Sequence, residues 1–256
     1  NPAGWSALCI KAPATNVLIE NNVFRNLGYS YRDDTGQGYW SDGISMVGSG
    51  EIRFNVIRNP TDGGIVVFSP GVWVHDNQIL VERGKALGGI NLLDSPDLTG
   101  VVVESNEVVA QSNGSIDIAV AAGLWTWACP TPGSEYYVDL DGGAIEANAI
   151  SRSGEGTIAY GIAVSGVSNI VAENNTATGD IGGLSGDGCS APPPVGQPFQ
   201  YDPSRCLGQC QLQPEFQQVG NSFEHLLRLP IPGVQRCSEI FSDGFQSSDT
   251  SRWNLS

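Results

Sequence analysis

The stretch "VWVHDNQI", residues 72–79, places one of the two histidines of the chain directly before an aspartate. A histidine and a carboxylate in contact can act as a general base and the group that orients it. Adjacent residues of a strand point to opposite faces of a sheet, however, so we expect that Asp76 does not orient the His75 ring. We interpret His75 instead as an exposed member of a ladder of charged side chains formed by Glu20, Arg53, His75 and Glu104.

Asp42 and Asp62 are the candidate catalytic residues. Each stands before a glycine at the start of a short apolar run, in "SDGISMVG" and "TDGGIVVFSPG". If these runs are neighbouring strands of a parallel sheet, their carboxyl groups lie about 5 Å apart, a separation that glycosidases use for acid–base chemistry. In a lyase or an epimerase, a carboxylate or calcium would instead neutralise a uronate while an arginine or lysine removes its C5 proton. The structural alternative is that both aspartates shape Asp-Gly turns.

Aromatic and charged side chains are concentrated around these aspartates. Tyrosine and tryptophan rings can stack on sugar faces, and arginine and lysine can hold the carboxylate of a uronic acid. We therefore predict a polysaccharide partner, held beside residues 31–85. The predicted substrate-binding residues are Asp33, Asp34, Tyr39, Trp40, Arg58, Arg83 and Lys85.

Two further motifs have a chemical and a structural interpretation. In "SPDLTG", Asp94 and Asp97 supply two carboxylates, whereas calcium takes six to eight oxygen ligands, so we predict turn capping and no metal site. Calcium stays a candidate cofactor only for the lyase reaction, in which it would neutralise the uronate. In "GLWTWACPTPGSEYY", Trp125 and Trp127 could form a sugar platform, but we favour packing over the rest of the chain.

A repeated pattern positions these residues. Six segments share an asparagine that is followed two residues later by an apolar or small residue, and the shortest interval between them is about 22 residues. Residues three before and two after the asparagine are mostly apolar, which predicts inward columns, and residues two before it are charged, which predicts an outward column. The asparagines tolerate left-handed backbone geometry, and their stacked amides can bond to one another. They are Asn22, Asn55, Asn77, Asn106, Asn148 and Asn175.

A second repeated element follows the first by roughly half a period. Pairs of glycine and isoleucine at 43–44, 64–65, 89–90 and 161–162 each open a short apolar run that ends in a turn. Each period therefore holds at least two short strands and cannot bury its apolar face alone. We predict an all-β fold in which successive repeats stack as a parallel β-helix, a solenoid whose strands pair with their counterparts one period away.

These repeats resemble those of right-handed parallel β-helix proteins of the pectin-lyase-like superfamily, from about residue 5 to residue 188. The resemblance implies the fold strongly and the activity weakly, because that superfamily includes polysaccharide lyases, hydrolases and epimerases as well as adhesins and phage tailspikes. We predict a secreted protein that binds a polysaccharide and cleaves it as a lyase or glycoside hydrolase. The alternative is a non-catalytic surface or adhesive protein.

The pattern stops after residue 188. We predict a β-helix over 1–188, a Cys/Pro-rich cap over 189–237 and a tail over 238–256. The six cysteines favour disulfides in an oxidising compartment over zinc binding by the lone pair Cys206 and Cys210. The tail "DGFQSSDTSRW" resembles short C-terminal segments of secreted bacterial proteins, which implies export or surface sorting, and we expect that residues precede Asn1 in the natural protein.

Composition excludes two partner classes. The chain has 12 Lys and Arg against 27 Asp and Glu, a net charge of −15, which repels nucleic acid and anionic membranes. No apolar run approaches the ~20 residues that span a bilayer, so membrane insertion is not expected. The 33 glycines and 15 prolines are typical of a turn-rich β protein. Nothing in the sequence indicates an oligomeric state.

Overall fold

The computed structural model describes residues 6–10, 14–25, 27, 29–32, 38–39, 41–93, 97–123, 126, 140–183 and 194–218. These residues form an all-β structure without an α-helix, as predicted. Within them, no helix exists that could cross a membrane.

The strands are short, apart from two that run through a bend. In chain order they are β1 (Ser6–Ile10), β2 (Val17–Glu20), β3 (Val23–Arg25), β4 (Tyr29–Arg32), β5 (Gly38–Tyr39), β6 (Asp42–Met46), β7 (Gly50–Arg53), β8 (Val56–Arg58), β9 (Gly63–Val67), β10 (Val72–His75), β11 (Gln78–Leu92), β12 (Val102–Glu104), β13 (Glu107–Ala122), β14 (Leu140–Asp141), β15 (Ala144–Glu146), β16 (Ala149–Arg152), β17 (Thr157–Val164), β18 (Val167–Ser168), β19 (Val171–Glu173), β20 (Thr176–Thr178), β21 (Phe199–Tyr201), β22 (Cys206–Leu207), β23 (Gln211–Leu212) and β24 (Gln217–Gln218).

Strands from successive repeats pair side by side and in parallel. The six strands that precede the asparagines, together with β23, form a seven-stranded sheet in the order β2-β7-β10-β12-β15-β19-β23. The strands that follow the asparagines and the Gly-Ile strands belong to one twelve-stranded sheet, which the long strands β11 and β13 join. Strands β14, β18 and β22 form a third parallel sheet, and only β4 and β5 pair in antiparallel fashion among the described strands.

The apolar columns predicted from the repeat form the core. Three residues before the asparagines, side chains from Ile19 to Ala172 are at most 4% exposed. Two residues after them, Ile57, Ile79, Val108 and Ile150 are buried, and the end members of that column pack against the core. Burial of a branched apolar side chain contributes about 1.5–3 kcal/mol, so these columns supply the main stabilisation of the stacked strands.

The asparagines form the ladder that the sequence predicts. The Nδ2 of Asn77 donates to Oδ1 of Asn106 at 3.0 Å, and Nδ2 of Asn106 donates to Oδ1 of Asn148 at 3.0 Å. Each amide from Asn55 to Asn175 also donates to a carbonyl of the preceding repeat, as Asn106 does to Val74 at 2.9 Å. The ladder begins at Asn22, and its last partner is Gln213, whose Oε1 accepts from Asn175.

The left-handed backbone lies one residue earlier than expected. The asparagines themselves do not adopt positive φ; the residue before each one does, with φ between 52° and 59°. This turn frees the asparagine side chain to point inward, where the amides stack. The left-handed residues are Asn21, Phe54, Asp76, Ser105, Ala147 and Asn174.

The parallel sheets continue into the segment for which the sequence predicts a cap. Strands β21, β22 and β23 pair in parallel with β17, β18 and β19. Cys206 and Cys210 form a disulfide there, which confirms disulfide formation over zinc binding for this pair. Cys9 is also disulfide-bonded, whereas Cys129, Cys189 and Cys237 lie outside the described residues.

The ladder predicts a sharp difference between its interior and its end. Asn106→Ala should lower the free energy of unfolding by about 3 kcal/mol, because it leaves buried donors and acceptors of the two neighbouring repeats without partners. Asn22→Ala, at the exposed end, should cost less than about 1 kcal/mol. Urea unfolding of both variants tests this expectation, and equal losses would contradict a ladder that stabilises by satisfying buried amides.

Candidate functional site

Strand pairing brings the two candidate catalytic residues together. Asp42 opens β6, and the register of β6 with β9 sets it opposite Gly63, the residue that directly follows Asp62. The carboxylate of Asp42 accepts hydrogen bonds from the Ser45 hydroxyl at 2.7 Å and the Gly63 N–H at 2.9 Å. No described group donates to the Asp62 carboxyl. The pair therefore consists of one carboxylate held by donors and one without them.

Burial changes the acidity of both groups. It raises the pKa of Asp42 to about 6, against the opposing effect of hydrogen bonds from Ser45, Gly63 and Ser6. Burial also raises the pKa of Asp62 well above its usual value, and the nearby Asp42 carboxylate raises it further. Both residues keep part of their surface accessible to solvent. The hydrogen bonds to Asp42 oppose the rise in its pKa, whereas no described group donates to Asp62, and this asymmetry suits a pair that acts as acid and base.

Close packing around a glycine completes this cluster. A Cβ atom at Gly63 would stand 2.8 Å from Nδ2 of Asn91 and 3.2 Å from Oδ1 of Asp42. Asn91 is buried, and its Oδ1 has no hydrogen-bond partner. Sequence reasoning missed Asn91, whose column in the sheet also holds the polar residues Ser45, Gln200 and Gln217. The pattern of the column alone does not distinguish Asn91 from these other polar residues.

A groove lined by three arginines lies at the neighbouring corner of the sheet. It encloses about 500 Å³ and is lined by Arg25, Arg58, Asn59, Glu82 and Arg83. Arg25 and Arg58 are paired residues of β3 and β8. We call these five residues the arginine groove. It contains two predicted substrate-binding residues, and Arg25 was missed although "FRN" and "IRN" repeat in the sequence.

Internal contacts hold the arginine groove in shape. Arg58 Nη1 donates to Glu82 Oε1 at 2.9 Å, and Asn59 Oδ1 accepts from the backbone N–H of Glu82 at 2.8 Å and of Arg83 at 3.2 Å. Among the described residues that line the groove, three arginines stand beside one glutamate, on a chain of net charge −15. Asn59 and Asp62 are three residues apart, so their Cα atoms lie within about 11 Å of each other.

The other predicted binding residues have mixed outcomes. Lys85 Nζ lies 2.9 Å from Oδ2 of the buried Asp117, so its ammonium balances an internal carboxylate, and its role toward a substrate stays a prediction. Tyr39 ends β5, and its side chain is outside the description. Also outside the described residues are Asp33, Asp34, Trp40, Asp94, Trp125 and Trp127.

Metal binding finds no support where the structure can test it. Asp97 accepts a hydrogen bond from the Thr99 N–H at 2.8 Å, and bonds to Thr99 lower the pKa of Asp97, as expected of a turn cap. Among the described residues, no three acidic, histidine or cysteine side chains converge on a common point. Calcium therefore has no identified ligand set in the part of the chain that the structure describes.

The predicted environment of His75 is wrong. The residue is only 7% exposed, its Nδ1 lies 2.7 Å from Asp76 Oδ2, and its Nε2 lies 2.8 Å from Glu51 Oε1. Asp76 orients the ring after all, because β10 ends at His75 and Asp76 adopts φ 52°, so the alternation of a strand does not apply to it. The indole of Trp73 stacks on the ring and covers it. The rest of the charged column is as predicted, since Arg53 pairs with Glu20.

Comparison with known proteins adds no identification. No protein-family model, no curated protein and no solved structure matches the chain. Function must therefore be inferred from the geometry of its own side chains.

The raised pKa of Asp62 predicts a pH-dependent effect on stability. A carboxyl whose pKa is higher in the folded state binds protons more tightly there, so its contribution is full at low pH and is lost as pH rises through the folded pKa. Asp62→Asn removes the titrating carboxyl and, with it, this loss of stability at rising pH. Its stability relative to the wild-type protein should therefore improve between pH 4 and pH 8, by about 1.4 kcal/mol for each unit of pKa elevation.

Urea unfolding at several pH values measures this difference. Asp180→Asn, at an exposed aspartate, is the matched control and should show no comparable trend. A constant difference between Asp62→Asn and the wild-type protein across this range would mean that Asp62 is not perturbed by burial.

Proposed function

We propose that this chain is a polysaccharide-binding protein that holds a uronate-containing chain in the arginine groove and cleaves it with the Asp42–Asp62 pair. We further propose that its parallel sheets are the faces of a right-handed parallel β-helix, as the resemblance to the pectin-lyase-like superfamily implies. The parallel register of successive repeats and the asparagine ladder support this architecture.

The arginine groove is the observation that carries the ligand class. Arginine binds carboxylates through two parallel hydrogen bonds and keeps its charge at any physiological pH. Paired strands stand about 4.8 Å apart, so Arg25 and Arg58 repeat along the groove on the scale of a sugar residue. A polymer with one carboxylate on each sugar could meet successive arginines.

The acidity of the aspartates supports hydrolysis. In a retaining glycosidase two carboxyl groups stand about 5–5.5 Å apart, one protonating the leaving oxygen and the other attacking the sugar. Asp62, which has no described hydrogen-bond donor, is assigned as the acid, and Asp42, whose carboxylate accepts bonds from Ser45, Gly63 and Ser6, as the second carboxylate. In the lyase alternative, a basic side chain of the groove would remove the C5 proton, and a carboxyl of the pair would neutralise the uronate and not protonate a leaving oxygen.

A secreted or cell-surface location completes the proposal. The Cys206–Cys210 disulfide supports an oxidising compartment, and the resemblance of the C-terminal tail to those of secreted bacterial proteins supports export. Extracellular polysaccharide is accessible to a protein in that location, whereas the net charge of −15 disfavours nucleic acid.

One observation favours the non-catalytic alternative, in which the protein is an adhesive or surface platform. The Asp42 carboxylate accepts bonds from Ser45, Gly63 and Ser6, which is also what a carboxylate that shapes the start of a strand would do. Activity measurements separate the two functions.

We expect turnover of an acidic polysaccharide. Incubation with a panel of neutral and uronic polysaccharides should release new reducing ends without ultraviolet absorbance, since hydrolysis creates no double bond. Asp42→Asn and Asp62→Asn should each lower the rate at least a hundredfold, as expected for loss of an acid or base. New absorbance from unsaturated uronates would show a lyase, and retained binding without any product would establish the non-catalytic function.

Binding tests the arginine groove separately from catalysis. Arg25→Gln and Arg58→Gln should each weaken binding of oligogalacturonate about tenfold, equal to ~1.4 kcal/mol, and the loss should shrink at high salt. Arg152→Gln, which removes an arginine outside the groove, is the matched control. Titration calorimetry measures all three, and unchanged affinity in both groove variants would remove uronates as the ligand of this site.

A further inference from the structure

Two aromatic rings are exposed on the outer side of the seven-stranded sheet. Trp73 in β10 is 43% exposed, and Phe54, in the turn after β7, is 48% exposed. Both rings contact the same buried imidazole of His75, at centroid distances of 3.9 Å for Trp73 and 5.9 Å for Phe54. We call Trp73 and Phe54 the aromatic pair. It shares no residue with the arginine groove.

Trp73 is fixed rather than loosely exposed. Its indole lies on the His75 ring with an angle of 26° between the planes, and its Nε1 donates to Glu104 Oε1 at 2.7 Å. The stacking fixes the plane of the indole, and the hydrogen bond fixes the rotation of the side chain. An indole with its only donor satisfied and much of its surface still open presents a rigid apolar platform.

Phe54 occupies a backbone conformation that disfavours it. Its φ is 53°, in the left-handed region that is a genuine outlier for a bulky residue and costs about 1–3 kcal/mol. The same position in other repeats holds Asn21, Asp76, Ser105 and Ala147, which are small or tolerate this conformation. The ring stays 48% exposed, and its contacts are with His75 and Arg53. A small or polar residue would adopt this backbone conformation at a lower cost.

Charged side chains under the rings act as their scaffold. Glu51 and Asp76 each contact one nitrogen of His75, which fixes the surface on which Trp73 rests. Arg53 is held by Glu20 and Glu51 with its guanidinium carbon 5.6 Å from the centre of the Phe54 ring. The network thus orients both rings outward and leaves them exposed.

We propose that the aromatic pair binds an uncharged saccharide chain. Sugar rings offer flat arrays of C–H groups that stack on aromatic faces, and hydroxyls that donate to carboxylates at the rim. The charged side chains around the rings are one cation, Arg53, and four carboxylates, those of Glu20, Glu51, Asp76 and Glu104. His75 lies between Glu51 and Asp76. This acidic rim repels uronates and matches a neutral chain. The site thus has the opposite electrostatic preference from the arginine groove, and it does not rest on the function proposed there.

Binding of neutral oligosaccharides tests this inference. Titration calorimetry with hexamers of glucose, xylose and mannose should detect binding of at least one, and hexagalacturonate should not compete for this site. Trp73→Ala and Phe54→Asn should each weaken that binding at least tenfold. Val195→Ala, at an exposed apolar residue outside the pair, should leave it unchanged. Arg58→Gln should also leave it unchanged, which separates this site from the arginine groove.

Phe54→Asn gives the sharpest result because it removes the ring and relieves the backbone. Asparagine accepts positive φ readily, so this variant should keep or raise its melting temperature while it loses the saccharide. Retained binding in a stabilised Phe54→Asn protein would overturn the proposal. So would an absence of binding to every neutral hexamer. Concentration-dependent self-association of the wild-type protein that Phe54→Asn abolishes would likewise overturn it and assign the surface to a second copy of the chain.

Discussion

The asparagine ladder, a column of buried side-chain amides, sets the register on which the rest of the structure depends. The interior asparagines, from Asn55 to Asn175, are at most 5% exposed and donate to one another and to backbone carbonyls of neighbouring repeats. Because a buried amide without partners costs about 1–3 kcal/mol, a repeat that slips along the stack loses several bonds at once. A slip by one residue would also turn every apolar column outward. The asparagine ladder and the apolar columns therefore enforce the same register.

That register decides which outward side chains meet. It sets Arg25 beside Arg58 and Asp42 opposite Gly63, residues 33 and 21 positions apart in the chain. It also segregates charge, with arginines gathered at one corner and carboxylates around His75 on the seven-stranded sheet. A chain of high net negative charge thereby offers two surfaces of different polarity. Each proposed ligand follows from the local charge and not from the charge of the whole chain.

Departures from the regular repeat mark the chemically distinctive positions. Phe54 stands in a left-handed column of small or polar residues, and Asp42 and Asp62 carry carboxyls where burial raises their pKa. The repeat itself supplies stability, so positions that depart from it without a gain in packing are those at which function is the better explanation.

The sequence by itself determined the all-β class, the asparagine ladder, the inward columns and the association of Asp42 with Asp62, because each depends on periodicity, and a strand repeats its geometry from one period to the next. Only the tertiary structure decided the environment of His75, the partner of Lys85, and the contribution of Arg25 to the groove. These features arise where a turn redirects a side chain or where repeats of unequal length meet, as at Asp76, whose left-handed backbone brings its carboxylate to His75. Periodicity describes how strands stack, whereas the direction of a side chain at a turn depends on the φ of one residue and on what fills the space beside it.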